Sequence, residues 1–430
     1  MLLQVFVKSF GCSANTADSE VLAGCLANAG FQLANSETEA DVLIYNTCAV
    51  KGPTENRIIN ALKHAPKGKK LIVAGCLPMI SFERLTREIN FAGVVGPSVG
   101  NTIVNVVSRV LSGEKVIELS NVEFKPALDL PRINPNLLVS VVPVNYGCLG
   151  SCAYCCVVFA RGHLRSYSIK EVVDRVKSDF AIGAREFWIT SQDTACYGRD
   201  LRSNLAELLK TLGSLDCNFK LRIGMMTPNM VTDMQDKLIS AFGSDKVFKF
   251  LHLPVQSGDD EILKCMRRFY SVKQFKSIVD AFRAKFPELA LATDVIVGFP
   301  GETVEAFENT LNLLKEVKPD VTNVSKFFAR PKTAAAKLQK GLVEREEIKR
   351  RSTVAAQLVK RISFEQNQRW IDWTGEVLFD EKGKVEGSWV GRNFAYKPIV
   401  VKSKDNLMGK TLKVKILKAS ATYLKGSTEI

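Results

Sequence analysis

Apolar positions recur along most of the chain in two alternating rhythms. Short unbroken apolar runs are followed by stretches with apolar residues three and four apart. Near the start, Leu2–Val7, Asp41–Tyr45 and Lys70–Ala74 read as strands, and Val94–Val95 ends a fourth. Between them, residues 16–29 set Val21, Leu22, Cys25, Leu26 and Ala29 on one helical face. This βαβ rhythm predicts an open parallel α/β sheet over residues 1–113. Residues 114–138 carry Pro126, Pro131 and Pro135 with little periodicity, and are expected to be a linker. The rhythm then resumes over residues 139–369. Strands are predicted at Leu138–Val144, Glu186–Thr190, Lys220–Met225, Val247–Leu253, Leu291–Val297 and Val321–Phe328. One intervening helix opens on a capping box, Ser168 to Glu171, and would bury Val172, Val173, Val176 and Phe180. Six βα units of one orientation are too few for an eight-stranded barrel. They suit a partial (βα)6 barrel with its active site at the carboxyl rim of the strands. Residues 344–369 form a basic helix. From 370 to 430, short β-like runs broken by Gly383, Gly387, Gly391 and Gly409 predict a small all-β module, expected as an antiparallel barrel.

Composition adds few constraints and charge adds one. Of 430 residues, 46% are hydrophobic and 24% charged, which excludes a disordered or collagen-like chain. No stretch reaches the roughly 18 apolar residues of a membrane span, and no signal-peptide pattern opens the chain. A cytoplasmic protein without a membrane partner is the expectation. The net charge of +14 is uneven: residues 1–50 carry −4, whereas residues 331–430 hold 21 bases against 11 acids. A polyanion gripped at the C-terminal end is the implied partner.

The eleven cysteines change the picture more. A reducing compartment makes disulfides a poor explanation and metal or catalytic roles a better one. Cys25, Cys217 and Cys265 fall inside apolar patterns and read as inert buried thiols. Cys12, Cys48 and Cys76 each follow one of the first three strands, the ends at which ligands bind in open parallel sheets. After the first strand of the middle region comes Cys148-Leu-Gly-Ser-Cys152-Ala-Tyr-Cys155. Three close thiolates on one loop suit a four-iron cluster with one iron left open. Zinc is the rival, with Cys156 or His163 as a fourth ligand.

The C-x3-C-x2-C loop, with Tyr154 before its third cysteine, resembles that of the radical S-adenosylmethionine superfamily. The three spread cysteines and the basic β-module resemble its methylthiotransferases. Further stretches similar to that family are Lys8-Ser-Phe-Gly-Cys12, Asn46-Thr-Cys48, Gly75-Cys76, the Arg161-Gly162 and Arg165-Ser166 pairs, Ser191-Gln-Asp-Thr194, His252-Leu-Pro-Val-Gln-Ser-Gly258 and Val297-Gly-Phe-Pro-Gly-Glu-Thr303. The resemblance implies two 4Fe–4S clusters, one on Cys148, Cys152 and Cys155 and one on Cys12, Cys48 and Cys76. The first would chelate S-adenosylmethionine and cleave it to a deoxyadenosyl radical; the second would present the sulfur to be transferred. Tyr154, Gln192, Asp193, Arg222, Met226 and Gln256 are candidate S-adenosylmethionine contacts at the rim, as is Arg330; His252 reads as a core histidine. The last module resembles the TRAM domain, an RNA-binding fold, with Arg392, Tyr396, Lys397, Lys413 and Lys415 as RNA-facing candidates and at least one of Trp389 and Phe394 in its core.

Val390–Lys397 is most similar to the archaeal and eukaryotic tRNA branch, which implies N6-threonylcarbamoyladenosine at position 37 as substrate and its 2-methylthio derivative as product. Ser191–Thr194 also resembles the branch acting on a ribosomal-protein aspartate. An isopentenyladenosine tRNA substrate and a non-catalytic metal-stabilised RNA binder are the other readings. The implied partners are the tRNA anticodon stem-loop and an electron donor such as ferredoxin or flavodoxin. Two departures stand out: Cys156 follows the third loop cysteine, and Lys332 occupies a position where the family often has glycine.

Overall fold

The computed structural model describes residues 3–50, 52–119 and 123–428. Leu2 of the first predicted strand lies outside them. Six parallel strands form the first sheet, in the spatial order Gln32–Leu33, Gln4–Ser9, Val42–Thr47, Lys70–Gly75, Gly93–Val95, Val116–Glu118. Alternate residues of the central strands enter separate cores on its two faces. Leu43, Tyr45 and Val73 pack on one side, and Val42, Ile44 and Ile72 on the other. That double burial is why these strands read as unbroken apolar runs.

The sheet extends past residue 113, because Val116–Glu118 pairs with Gly93–Val95. The proline-rich stretch that follows is a fitted strap. A Cβ on Gly24 would lie 2.3 Å from the Pro131 backbone, so only glycine lets the helix Ser13–Asn28 accept it. Arg132 of the strap pairs with the buried Asp179.

In the middle region, strands Val139–Pro143, Glu186–Thr190 and Lys220–Ile223 form one parallel sheet. Phe250–His252, Ala290–Val297 and Val321–Lys326 form another. A parallel bridge between Leu221 and Val247 joins the two into the open partial barrel. The Ser168–Glu171 capping box is present in both directions. The helix Arg345–Gln368 covers the last strand.

The last module is a closed barrel of strands Thr374–Lys382, Ser388–Arg392, Pro398–Lys402, Leu424–Ser427 and Thr411–Ala419. It is not wholly antiparallel, since Pro398–Lys402 pairs in parallel with Leu424–Ser427. It docks on the amino ends of the barrel strands, opposite the rim. Asn136 Nδ2 donates to Asp380 O at 3.0 Å, Lys249 N to Phe394 O at 2.7 Å, and Tyr396 Oη to Glu186 Oε1 at 3.1 Å. Phe248, Phe250, Ala290 and Ala292 of the middle region share its core with Trp389, while Phe394 packs between Trp370 and Trp373.

This docking corrects three RNA-facing expectations. Tyr396 stacks on Phe248 and Phe250 and lies under the guanidinium groups of Arg222 and Arg392, so no base can reach its ring. Lys397 is buried with its Nζ on Asp320 and Asn367. Arg392 is mostly buried beside Asp380 and Glu381. A charged side chain beside apolar strand ends is read from sequence as a surface group; here Lys397 meets Asp320 just before the strand Val321–Lys326, and Arg392 meets Asp380 and Glu381 of the neighbouring strand.

Burial, then the neighbouring Asp380, raises the Glu186 carboxyl to about 7. Its other facing groups are Trp188, Arg392 and Tyr396. A carboxyl with a raised folded pKa holds its proton while the unfolded chain releases it, so stability falls as pH rises from about 4.5 to 7. The melting temperature should drop across that window in wild type and be flatter in Glu186→Gln, which thermal denaturation at stepped pH measures.

Candidate functional site

Three carboxyl-end turns of the first sheet converge. Cys12 caps the helix Ser13–Asn28, Cys48 follows the strand Val42–Thr47, and Cys76 opens the short helix Cys76–Ile80. Two glycines with positive φ make the approach possible. A Cβ on Gly11 would sit 2.6 Å from Cys48 Cβ, and one on Gly75 would sit 2.4 Å from Asn46 Oδ1 and Thr47 O. Asn15 and Asn46 lock these turns: Asn15 Nδ2 donates to Thr47 O at 2.9 Å, and Asn46 Nδ2 to Asn15 O at 2.8 Å. The thiols are close enough to raise one another's pKa, although burial is the larger cause. It pushes Cys48 up, and Cys76 up to about 12.

A cation from the middle region opposes this. Arg161 hydrogen-bonds Cys76 and is itself buried against Asp18 Oδ2 at 2.5 Å and Asn15 Oδ1 at 3.2 Å. Tyr146 completes the network, donating to Asp18 Oδ1 at 2.6 Å beneath the Arg161 guanidinium.

The second trio lies on the loop after Asn145–Tyr146. Gly147 (φ +74°) starts it where a Cβ would clash with His163 O at 1.9 Å. Gly150 N donates to Cys148 Sγ at 3.1 Å. Arg268 Nη1 donates to Cys152 Sγ at 3.3 Å, its Nη2 to Pro254 O at 3.2 Å. Tyr154 is half-buried in the apolar cluster around Phe299 and Met266. Burial pushes the Cys155 thiol up. Cys148 is lowered, chiefly by a hydrogen bond from Cys196. The ligand atoms of Cys148, Asp193 and Cys196 all lie within 4.8 Å of one another.

The two trios face each other across the interface between the first sheet and the barrel rim. Cys156 Sγ donates to Ala49 O at 3.6 Å and shares an apolar cluster with Cys48 and Cys76. Its charge acts on both Cys48 and Cys155. Ser13 Oγ meets Thr190 Oγ1 at 2.7 Å.

The other rim residues divide. Gln192 is half-buried; its Oε1 and Ser191 Oγ are buried with no hydrogen-bond partner among the described residues. Asp193 accepts from Ala195 N and Thr227 N, both at 3.1 Å. Met226 is fully buried, and Gln256 is held at φ +69°. Arg222 does not face the rim group. It is sandwiched by Trp188, Phe250 and Tyr396, towards the end of the barrel the C-terminal module plugs. Arg330 is likewise corrected: its guanidinium is buried on Glu55 and Ser81 of the first sheet's helices. Lys332 adopts the left-handed φ of +68° that glycine would accept freely, with its Nζ on Met79 O at 3.2 Å. His252 bonds Asp294 at 2.9 Å, as a satisfied histidine does. Among the expected inert thiols, Cys25 is buried but Cys265 is exposed.

The donor chemistry fits clusters and S-adenosylmethionine. Two sets of three free thiols converge, and the orphaned Ser191 and Gln192 oxygens await a polar ligand. His163 is exposed. Cys196, Arg268 and the roles of Arg161 and Glu55 were not readable from sequence, because each acts through a partner more than 25 residues away. Removing one member of a buried ion pair strands the other. Asp18→Ala should therefore cost about 3–5 kcal/mol of stability, read by denaturant unfolding.

Comparison with known proteins agrees with this arrangement. Residues 4–96 match the uncharacterized protein family UPF0004, residues 142–314 the radical SAM superfamily, and residues 374–428 the TRAM domain. A Methanocaldococcus jannaschii protein named "Probable threonylcarbamoyladenosine tRNA methylthiotransferase" is 40% identical over 99% of this chain and 97% of its own. A Pyrococcus abyssi protein of the same name is 39% identical over 99% of both, and the Xenopus laevis threonylcarbamoyladenosine tRNA methylthiotransferase 34% over 98% and 76%. In fold, the radical S-adenosylmethionine methyltransferase TsrM of Kitasatospora setae is similar at TM-score 0.55 and 13% identity, covering 78% of this chain and 77% of that one. With sequence relatives matched end to end and both cysteine trios meeting at one interface, the chain belongs to the threonylcarbamoyladenosine tRNA methylthiotransferase family and is a radical S-adenosylmethionine enzyme.

Proposed function

We propose that this protein converts N6-threonylcarbamoyladenosine at position 37 of tRNA to its 2-methylthio derivative, with Cys148, Cys152 and Cys155 holding one 4Fe–4S cluster and Cys12, Cys48 and Cys76 the other. The observation that carries this reading is the convergence of the two trios on one interface. When bound, the clusters and S-adenosylmethionine supply one-electron cleavage and the sulfur to be transferred. The protein's share is to orient and enclose them. Arg268 fixes Cys152 against the Pro254 turn, and Arg161 sets a fixed positive charge beside Cys76. Ser191 and Gln192 offer hydrogen bonds at the rim, and Tyr154 lines it with apolar surface. Packing of the first sheet against the rim keeps water from a reactive species.

The substrate follows from the relatives' names together with the exposed lysines Lys413 and Lys415 on the C-terminal barrel, which suit a phosphate backbone. An electron donor such as ferredoxin or flavodoxin and a cytoplasmic setting belong to the same reading. Among the described residues, no helix is long and apolar enough to cross a membrane. The division into residues 1–113, 139–369 and 370–430 serves as the working domain plan, with the first unit lengthened to include Val116–Glu118.

Cys152→Ala should abolish deoxyadenosine formation from S-adenosylmethionine under anaerobic reduction, assayed by chromatography. Cys48→Ala should still release deoxyadenosine but yield no methylthiolated nucleoside by mass spectrometry of digested tRNA. Unchanged product from Cys48→Ala would sink the second-cluster assignment. Because the C-terminal barrel plugs the strand ends, Lys413→Ser/Lys415→Ser tests RNA contact more cleanly than truncation does. That variant should weaken tRNA binding several-fold and lower its salt dependence.

A further inference from the structure

The reaction rim and the C-terminal barrel lie at opposite ends of the middle region. An RNA gripped only by Lys413 and Lys415 would therefore end far from the trios. The helix Arg345–Gln368 connects the two ends. Its start is fixed to the rim: Gly301 N donates to Gly341 O at 2.7 Å, Ile348 packs on Gly298, and Arg351 Nη1 bonds Glu302 Oε2 at 2.7 Å. Its end is fixed to the C-terminal barrel: Asn367 Nδ2 donates to Ser420 O at 2.8 Å, and Trp370 enters that barrel's core. Twenty-four residues span about 36 Å.

The two faces of this helix differ sharply. Ala355, Leu358 and Ile362 are buried, as is Arg351 on Glu302. On the opposite face, Arg345, Lys349, Arg350, Lys360 and Arg361 are exposed, and at 100° per residue they share a single stripe in which Glu346 is the only acid. Arg350 is partly engaged by Glu347 at 2.6 Å. Just past the helix, Asp372 N bonds Ile416 O, which brings the strand carrying the exposed Lys413 and Lys415 to that end; Lys415 there also pairs with Asp372 at 3.4 Å. At the other end the stripe approaches the exposed Lys337 and Lys340 near the rim.

We propose that this face of the helix is an RNA-backbone track along which the tRNA anticodon stem lies, so that the C-terminal barrel holds one end while the loop reaches the rim. This rests on the tRNA reading above. Charge complementarity selects a polyanion, and bases towards both ends of the helix, Arg345, Lys349 and Arg350 near the rim and Lys360 and Arg361 nearer the barrel, select an elongated one. A compact acidic reductant would need access at the rim alone, not along 36 Å of helix.

The test uses full-length protein and unmodified tRNA. Lys349→Ser/Lys360→Ser/Arg361→Ser should bind tRNA about tenfold more weakly near 0.1 M salt. The slope of log affinity against log salt should shrink by about 2, as expected for losing three phosphate contacts. Lys177→Ser/Lys210→Ser, exposed lysines on other helices, should keep the wild-type slope. Melting temperature and iron content confirm that each variant is folded. A wild-type slope in the triple variant overturns the track, as does a loss confined to reduction by an acidic donor protein. Wild-type protein that shows no binding to tRNA even at low salt would instead overturn the tRNA reading itself.

Discussion

The arrangement depends on keeping two surfaces, each studded with thiols, in one fixed register across an interface. Two buried ion pairs define that register. Arg161 reaches from the barrel to Asp18 and Asn15 of the first unit, and Arg330 reaches from the last strand's end to Glu55. Burying a guanidinium and a carboxylate costs desolvation that their attraction barely offsets. Such pairs add little net stability. What they provide is discrimination: a rotation of either unit would leave an unpaired charge in an apolar interior. An enzyme that must bring two reactive centres together gains more from that discrimination than from a larger apolar contact, which tolerates sliding.

The same cations carry a second consequence. Burial disfavours the ionised forms of Cys48, Cys76 and Cys155, whose thiols are raised. Arg161 beside Cys76 counters this in the first trio. One arginine therefore fixes geometry and also prepares a thiol to act as a ligand, since a thiolate is the binding form. Cys196 does related work from the opposite side, lowering Cys148 by hydrogen bonding.

The C-terminal barrel turns out to be structural as well as adhesive. Tyr396 fills the base of the partial barrel, where a complete barrel would close on its own side chains. Aromatic and basic residues in its Val390–Lys397 segment therefore serve the junction. The exposed bases lie instead on the strand Thr411–Ala419 and on the connecting helix.

How much was readable follows from how far each signal reaches along the chain. Strand periodicity, the capping box and the six cysteines at strand ends are local, and the sequence predicted them with small boundary shifts. The alternation of strand and helix determined which ends the thiols occupy, because parallel order puts all carboxyl ends together. The partners of Arg222, Arg330, Tyr396 and Lys397 were decided only by tertiary structure. Each meets a group on another unit, between 77 and 275 positions away, and no local pattern separates a cation that meets solvent from one that meets a distant carboxylate. Composition fixed how many charges the chain carries; folding decided which of them are buried on distant acids and which stay at the surface.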